Sequence, residues 1–295
     1  MIKTSADLLQ SIKRGVSMPE NQKRFTDQDL LEFADEEIES KILPVISAMR
    51  QEFLVYRETQ ALVANQASYP IPYRAMGRVV KDVVLVQGTT TRRQLPLISP
   101  SEAYGYSATG TPAAFYLEND SVVLVPTPTS VTHSLELKYV MRPSRLIALT
   151  DCRQITGISA NTLTFASTPP STFSTNNPVD LIQGRQGNTI VKFDVVVTNV
   201  GINSINVAAV PAGLAIGDYV ALSEQSPIIP LPQETFPVIA IAVQNRLLEA
   251  QGDVEMLQLG EAKLKVKMEA MVSLLCPRIQ DQSKVIVNRS MLRGR

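Results

Sequence analysis

The chain has 295 residues, enough to bury a substantial apolar core in one or two domains without help from a disulfide. Its 28 basic and 28 acidic side chains give a formal net charge of +0, which excludes a general electrostatic attraction to nucleic acid or to an anionic membrane. The absence of tryptophan and an aromatic content of 5% argue against the stacking platforms of sugar-binding and single-strand-binding modules.

The N-terminus predicts a short amphipathic helix from Ala6 to Arg14, capped by Ser5 and ended by Gly15. This start lacks the basic-then-apolar pattern of a secretory signal, and the chain has no run of 18 apolar residues. We therefore expect a soluble protein that is made in a cytosol and does not contact a membrane.

A longer helix is predicted to begin after Thr26, where Asp29 completes a capping box. An interior proline removes a backbone hydrogen bond, so Pro44 predicts a kink or break near Ile42 and Leu43. The apolar stripe of this helix consists of Leu30, Ala34, Ile38, Ile42, Val45, Met49 and Phe53. Its acidic face consists of Asp35, Glu36, Glu37 and Glu39, for which a solvated surface is favoured over contact with a basic neighbour.

The middle of the chain predicts strands joined by turns, because it is poor in charged residues and rich in Ser, Thr, Asn, Val, Pro and Gly. Runs from Asn119 to Val125 and from Ser134 to Tyr139 alternate as antiparallel strands do. Two segments, Ile155 to Ile182 and Val197 to Leu222, share the order strand, tight turn, strand, Pro-bearing loop and final strand near an Asp. This internal repeat indicates a small closed barrel or a sandwich.

The C-terminal quarter predicts a helical hairpin that begins near Pro232 and turns at Gly252, with Asp253 as the cap of its second helix and Pro277 as its stop. The first helix has an apolar face of Phe236, Ile239, Val243 and Leu247. The second has an apolar stripe of Leu257, Leu264, Met268, Met271 and Leu275. One hairpin cannot bury both faces alone, so the helix that starts at Thr26 is its natural partner.

These elements predict an α+β fold, in which a bundle of N- and C-terminal helices carries a large antiparallel β insertion with a small barrel-like module. The predicted parts are an N-terminal bundle segment (1–67), a β-rich region (68–152), a barrel-like insertion (153–227), a C-terminal bundle segment (228–277) and a terminal arm (278–295).

The sequence indicates no catalytic, cofactor-binding or metal site, and we expect no enzymatic activity. His133 is the only histidine, and Cys152 and Cys276 are too distant in sequence to suggest a disulfide or a zinc site. Three carboxylates of the barrel segment are candidates for an acid–base pair, although turn or cap roles are favoured: Asp180, Asp194 and Asp218.

The last 18 residues combine basic and apolar side chains, which indicates either a solvated terminus or an arm that becomes ordered on a partner. The arm hypothesis assigns binding to Arg278, Lys284, Val285, Ile286, Val287, Arg289, Arg293 and Arg295.

Long composite segments of the chain resemble the head-to-tail adaptor (connector) proteins of tailed bacteriophages. They are FTDQDLLEFADEEIESKILPVISAMRQEFLVYRET, YPIPYRAMG with VVKDVVLV, PVDLI, GDYVAL, and LLEAQGDVEMLQLGEAKLKVKMEAMVSLLCPR with IVNR. The resemblance extends from about Thr26 to Arg289.

The resemblance implies a virion protein of the neck or tail that forms a homo-oligomeric ring, usually of twelve copies, beneath the portal. It also implies that the C-terminal arm reaches the portal protein, that a downstream tail or nozzle protein or a tail fibre is a further partner, and that DNA passes through the lumen without specific binding. Two alternatives remain open: another neck, tail-tube or baseplate protein, and a glycan-binding β protein.

Overall fold

The computed structural model describes residues 3–16, 24–50, 52–88, 91–184 and 190–275 of the chain. Helices stand at both ends of these ranges, and strands lie between them. The helices are α1 (Ser5–Gly15), α2 (Asp27–Glu37), α3 (Leu43–Met49), α4 (Phe236–Gln251) and α5 (Val254–Leu274). The predicted α+β class is confirmed.

The caps of the first two helices are side chain–backbone pairs. Thr26 caps α2 and forms the predicted capping box with Asp29. For α1 the prediction of Ser5 was wrong by one position, because Thr4 is the cap. Its hydroxyl accepts from the Asp7 backbone N–H at 3.3 Å, and the Asp7 carboxylate accepts from the Thr4 N–H at 2.9 Å. Ser5 lacks an acidic residue three positions later, so it cannot complete such a box.

A π-helical turn at Ile38–Ile42 separates α2 from α3. The Leu43 N–H donates to the Ile38 carbonyl, five residues earlier, and Pro44 lies in the first turn of α3. Because Pro44 has no N–H, the wider turn gives the chain a way to continue as a helix without the missing hydrogen bond. The predicted break at this position is confirmed and takes the form of a π turn.

The N- and C-terminal helices pack into one body with a shared apolar core. Ile239, Val243 and Leu247 of α4 are fully buried in the same cluster as Leu8 and Leu30 of the first two helices. Side-chain hydrogen bonds between described residues also join the ends of the chain. Among them are Arg24 Nη2 to the Ala250 carbonyl (2.8 Å), Gln244 Nε2 to the Ser11 carbonyl (3.1 Å) and Arg50 Nε to the Leu275 carbonyl (3.1 Å).

The acidic face of α2 is not simply solvated. Glu36 and Glu37 both contact Arg246 of α4, and Glu37 is only 5% exposed. Both carboxylate oxygens of Asp35 accept the Leu146 backbone N–H at 3.1 Å. Burial raises the pKa of Asp35 to about 7 despite this hydrogen bond.

We expect Asp35→Asn to stabilise the protein at pH 8. A carboxyl whose pKa is higher in the folded state than in the unfolded state is unfavourable once pH exceeds the unfolded value, here 3.8. The asparagine oxygen still accepts from Leu146 and carries no charge, so the gain is roughly 1–3 kcal/mol at pH 8. Thermal melts at several pH values test this, and the gain shrinks as pH falls from 7 towards 4. Glu39→Gln removes only one of the smaller causes that raise the pKa of Asp35 and is expected to give a much smaller gain. A gain independent of pH would contradict the assignment.

The first β region consists of two antiparallel sheets and one short parallel pair. Its strands are β1 (Val55–Ala61), β2 (Ser68–Pro70), β3 (Ala75–Gln87), β4 (Thr91–Gln94), β5 (Thr109–Gly110), β6 (Ala114–Glu118), β7 (Ser121–Val125), β8 (Thr127–Pro128), β9 (His133–Met141) and β10 (Arg145–Leu146). One sheet has the order β1-β9-β3-β4 and the other β2-β7-β6, while β5 pairs with β8. Leu85, Leu135 and Leu137 of the first sheet and Leu124 of the second are buried in one shared core.

A closed barrel follows, as one of the two alternatives from the internal repeat predicts. Its strands are β11 (Arg153–Ser159), β12 (Thr162–Phe165), β13 (Pro178–Ile182), β14 (Ile190–Val200), β15 (Ser204–Val207) and β16 (Tyr219–Leu222). The order around the barrel is β11-β12-β15-β14-β13-β16. The strands β11, β12 and β13 of the first repeat correspond to β14, β15 and β16 of the second. Exchanging each strand with its counterpart reproduces every pairing in the barrel, so the two repeats are related by a pseudo-two-fold axis.

The barrel is inserted through two neighbouring connections. Strand β10 precedes the barrel and pairs in parallel with β17 (Gln225–Ser226), which follows it. Ile182, Ile190 and Ala221 of the barrel also pack into the core of the preceding sheets. The barrel therefore sits directly on the sheets, and both of its connections lead back towards the helices.

Candidate assembly surface

Helix α5 is bound to the helical body along one narrow stripe. Of the predicted stripe, Met271 and Leu275 are buried, Leu264 and Met268 are partly buried, and Leu257 is intermediate. The predicted apolar stripe of α5 does face the helical body, but its side chains are fully buried only near the C-terminal end of the helix. Most of α5 therefore stands at the surface.

The start of α5 is held close to α4 by its turn and by a small residue. Gly252 adopts φ 77°, a left-handed conformation that favours glycine, and the Asp253 side chain accepts from the Met256 N–H. A Cβ on Gly260 would lie 2.0 Å from Oδ1 of Asn245, a residue that is 7% exposed in α4. The two helices therefore approach closely at Gly260, which fixes the direction in which the rest of α5 points.

The opposite side of α5 carries large apolar side chains that nothing in the described residues covers. Met256, Leu259, Val266 and Leu274 are 47%, 55%, 62% and 68% exposed. At 100° per residue these four positions lie within about 80° of one another, on one side of the helix. We call them the outer stripe. A helix that is apolar on two sides is usually covered on both, so the outer stripe is the best candidate for contact with another protein.

Basic side chains lie beside the outer stripe of α5, and acidic side chains lie on the exposed face of α2. Lys263 and Lys267 are exposed and lie at the same side of α5 as the outer stripe. On the α2 side of the body, Glu32, Glu36 and Glu39 are exposed at spacings of four and three residues, which places them on one helical face. We call these three the acidic row. One molecule therefore presents a basic-apolar surface and an acidic surface on different helices.

A buried polar cluster joins the barrel to the preceding sheet, and we call it the Arg74 cluster. The Arg74 side chain is about 4% exposed, and its Nη2 lies 2.9 Å from Oδ1 of Asp180 and 2.7 Å from Oδ1 of Asp194. Arg74 also donates to the Ser223 hydroxyl at 2.8 Å, and Tyr73 donates to Asp194 at 2.7 Å. The arginine precedes β3, whereas both carboxylates belong to the barrel, so these bonds fix one β module against the other.

The electrostatics of the Arg74 cluster follow from burial and hydrogen bonding. Burial raises the pKa of the fully buried Asp180 to about 6, although Arg74 and two backbone N–H groups oppose the shift. For Asp194 the effect of burial is outweighed by donors from Arg74, Ser223 and Tyr73, which lower its pKa. Asp194 adopts φ 52°, a conformation that Asp tolerates better than most residues.

The barrel carboxylates thus divide between two roles. Asp218 accepts from the backbone N–H groups of Gly184 (3.0 Å) and Ala215 (2.8 Å), which is the turn role that the sequence favours. Asp180 accepts from the N–H groups of Asp194 and Glu224 but is also an ion-pair partner, which the sequence analysis missed. The apolar strand sequence PVDLI indicates that Asp180 needs a buried hydrogen-bond donor or cation, but it does not identify that partner.

The other candidate residues have ordinary surroundings or lie outside the described ranges. His133 begins β9 and contacts Thr132 at 3.3 Å, and burial raises the pKa of the Cys152 thiol to about 12. Cys276 and all eight residues of the hypothetical arm lie outside the described residues. Within the described ranges, no group of three or more His, Cys, Asp and Glu side chains is arranged to hold a metal. In the same ranges, no helix is both long enough and apolar enough to cross a bilayer.

Comparison with protein families decides what class of protein carries these surfaces. The sequence model of a family described as SU10 adaptor protein matches residues 3–166, which is more than half of the chain. The chain belongs to the SU10 adaptor family. The match to these phage adaptors covers α1 to α3, both sheets and the β11–β12 hairpin of the barrel. No curated protein matches the chain in a direct sequence comparison.

Membership of the SU10 adaptor family confirms the resemblance to head-to-tail adaptors and makes the protein a structural component of a tailed phage. The outer stripe of α5 and most of the barrel lie beyond the matched region. These parts of the adaptor are therefore assigned from their own geometry rather than from the family.

Proposed function

We propose that the protein is a head-to-tail adaptor subunit that forms a ring, of about twelve copies, beneath the portal and connects the capsid to the tail. The family match carries this proposal, and the uncovered outer stripe of α5 supports it. The ring binds the portal on one side and a tail, nozzle or fibre protein on the other, and its lumen passes DNA without specific binding. In this proposal the protein is a structural connector in the virion and not an enzyme.

Contacts between neighbouring copies follow from the two charged surfaces of the helical body. We propose that the outer stripe of one copy, with Lys263 and Lys267, packs against the acidic row of the next copy. Such a contact is heterologous, because each copy offers a different surface on each side, and heterologous contacts close into rings when the rotation allows. Apolar burial supplies most of the affinity, and the charge pairs select the orientation.

The five parts of the chain have separate roles in this proposal. The helices of the two bundle segments, 1–67 and 228–277, form the ring body, whereas β1 at the end of the first segment belongs to the four-stranded sheet. The terminal arm, 278–295, docks on the portal. The β-rich region, 68–152, and the barrel insertion, 153–227, extend from that body towards tail components. The Arg74 cluster makes these two β parts a single rigid extension.

We expect deletion of Lys284 to Arg295 to abolish docking on the portal while the subunit remains folded. The deleted segment carries both the basic and the apolar residues of the arm, and a multivalent ring multiplies the effect of losing one contact per copy. The measurement is electron microscopy and co-sedimentation of the protein mixed with the portal protein of the same phage. A variant with Arg289, Arg293 and Arg295 changed to Lys keeps the charge and serves as a matched control.

The outcomes separate the parts of the proposal. If the full-length protein forms no ring with the portal, the proposed ring beneath the portal is wrong. If the full-length and the truncated proteins both dock, the arm assignment alone is wrong.

A further inference from the structure

The four-stranded sheet has an open edge that faces a large groove. Strand β1 is the outermost strand of that sheet and pairs only with β9 among the described residues. Five consecutive residues of β1, Tyr56 to Gln60, line a groove of about 870 Å³. Consecutive residues of a strand point to alternate faces of a sheet, so a groove that touches all five follows the edge of the sheet.

The register shows which backbone groups point into this groove. The Leu54 carbonyl accepts from the Met141 N–H, and the Leu62 N–H donates to the His133 carbonyl, so even-numbered positions of β1 bond to β9. In an antiparallel pair the intervening residues direct their N–H and C=O groups away from the partner. Arg57 and Thr59 therefore present to the groove backbone donors and acceptors that have no partner among the described residues.

The far wall of the groove is a second strand with an open edge. Residues Ile190 to Asp194 at the start of β14 line the groove. This part of β14 pairs with β13, whereas pairing with β15 begins only at Val197. Phe193 packs edge-to-face on Tyr56, with 5.1 Å between ring centroids, and joins the two walls at one side.

The groove carries an excess of positive charge that is available to a partner. Lys192 is exposed and forms no ion pair with any described residue. Arg57 and Arg78 are 55% and 38% exposed, and their ion pairs are long, at 3.7 Å from Glu136 and 3.9 Å from Asp120. Arg78 also donates to the Ile71 carbonyl at 2.9 Å. Four cations line the groove, Arg57, Arg74, Arg78 and Lys192, against two carboxylates, Glu58 and Asp194. Arg74 is shared between Asp194 and the buried Asp180, so the other three are the cations open to a partner.

We propose that this groove binds an extended acidic segment of a partner protein, which adds as a strand to the free edge of β1. The open backbone groups of Arg57 and Thr59 pair with the main chain of the segment, and Arg57, Arg78 and Lys192 pair with its carboxylates. The acidic runs of this chain itself lie largely in α2 and the π turn, so the segment comes from a different protein. The inference goes beyond the ring-forming function and does not depend on it.

The test uses a fluorescein-labelled nonapeptide, acetylated and amidated, in which Glu alternates with Thr and Val. We expect the purified full-length protein to bind it in a fluorescence anisotropy titration and to bind the corresponding Lys peptide much more weakly. Thr59→Pro removes one outward N–H without touching the bonds to β9, so we expect binding to weaken at least about tenfold. Thr59→Val keeps the N–H and is expected to bind as the unchanged protein does.

Charge reversal gives a second test that does not depend on backbone changes. Lys192→Glu is expected to weaken the acidic peptide and strengthen the Lys peptide, while Lys265→Glu on the exposed surface of α5 changes neither. Thermal melts establish that each variant is folded. Equal binding by Thr59→Pro and Thr59→Val, or no binding of the acidic peptide by the unchanged protein up to about 1 mM, would overturn the proposal.

Discussion

Replacing Arg74 with Met is expected to destabilise the protein by about 3–5 kcal/mol at pH 8. Arg74 is the only cation that contacts Asp180 among the described residues, and Asp180 is fully buried. Removal of the guanidinium leaves that carboxylate charged, desolvated and without its counter-ion. Urea denaturation followed by circular dichroism measures the loss. Arg78→Met is the matched control, because its ion pair is long and half-exposed and contributes less than about 1 kcal/mol.

The pH dependence distinguishes a lost ion pair from lost packing. Burial raises the pKa of Asp180 even with Arg74 present, and loss of Arg74 removes an interaction that lowers it, so acidic pH protonates Asp180 in the variant and removes the uncompensated charge. We expect the destabilisation by Arg74→Met to be smaller at pH 5 than at pH 8. We also expect Asp180→Asn to recover part of the stability in the Arg74→Met background. A loss that is equal at both pH values and unchanged by Asp180→Asn would show that Arg74 acts only through packing.

The parts of the fold that could be predicted are those specified by residues close in sequence. The Thr26 cap, the break before Pro44 and the turn at Gly252 each depend on residues within a few positions, and each is confirmed. The barrel could be predicted because the chain repeats the same strand pattern twice. The shared helical core could be predicted because two amphipathic surfaces at opposite ends of the chain each required a partner.

The Arg74 cluster could not be predicted because its members are far apart in sequence. Arg74 lies 106 positions from Asp180 and 120 from Asp194, and no local pattern connects them. The acidic face of α2 was misjudged for the same reason, since Arg246 belongs to α4. The outer stripe was missed because the search for burial followed only one face of α5. Its significance depends on knowing which side of α5 the rest of the molecule covers.

Placing Asp at both Leu259 and Val266 is expected to abolish ring formation while the subunit stays folded. The two side chains are 55% and 62% exposed, so the change costs the isolated subunit little. In the proposed ring they are buried against the next copy, and burying two carboxylates there costs several kcal/mol at every interface. Native mass spectrometry and electron microscopy of portal-bound complexes measure the assembly. Met271→Asp, on the buried side of α5, is the contrasting variant and is expected to unfold the helical body itself.

Charge exchange tests which surface receives the outer stripe. Changing Lys263 and Lys267 to Glu places like charges opposite the acidic row and is expected to weaken assembly. Changing Glu32 and Glu39 to Lys in the same chain restores opposite charges at each interface and is expected to restore it, because every copy supplies both surfaces. Glu36 is left unchanged because it contacts Arg246 within its own subunit. If the Lys263 and Lys267 changes abolish assembly and the added Glu32 and Glu39 changes do not restore it, α5 remains an interface. Its partner surface is then not the acidic row. Rings formed by the Leu259→Asp and Val266→Asp double variant would remove α5 from the interface altogether.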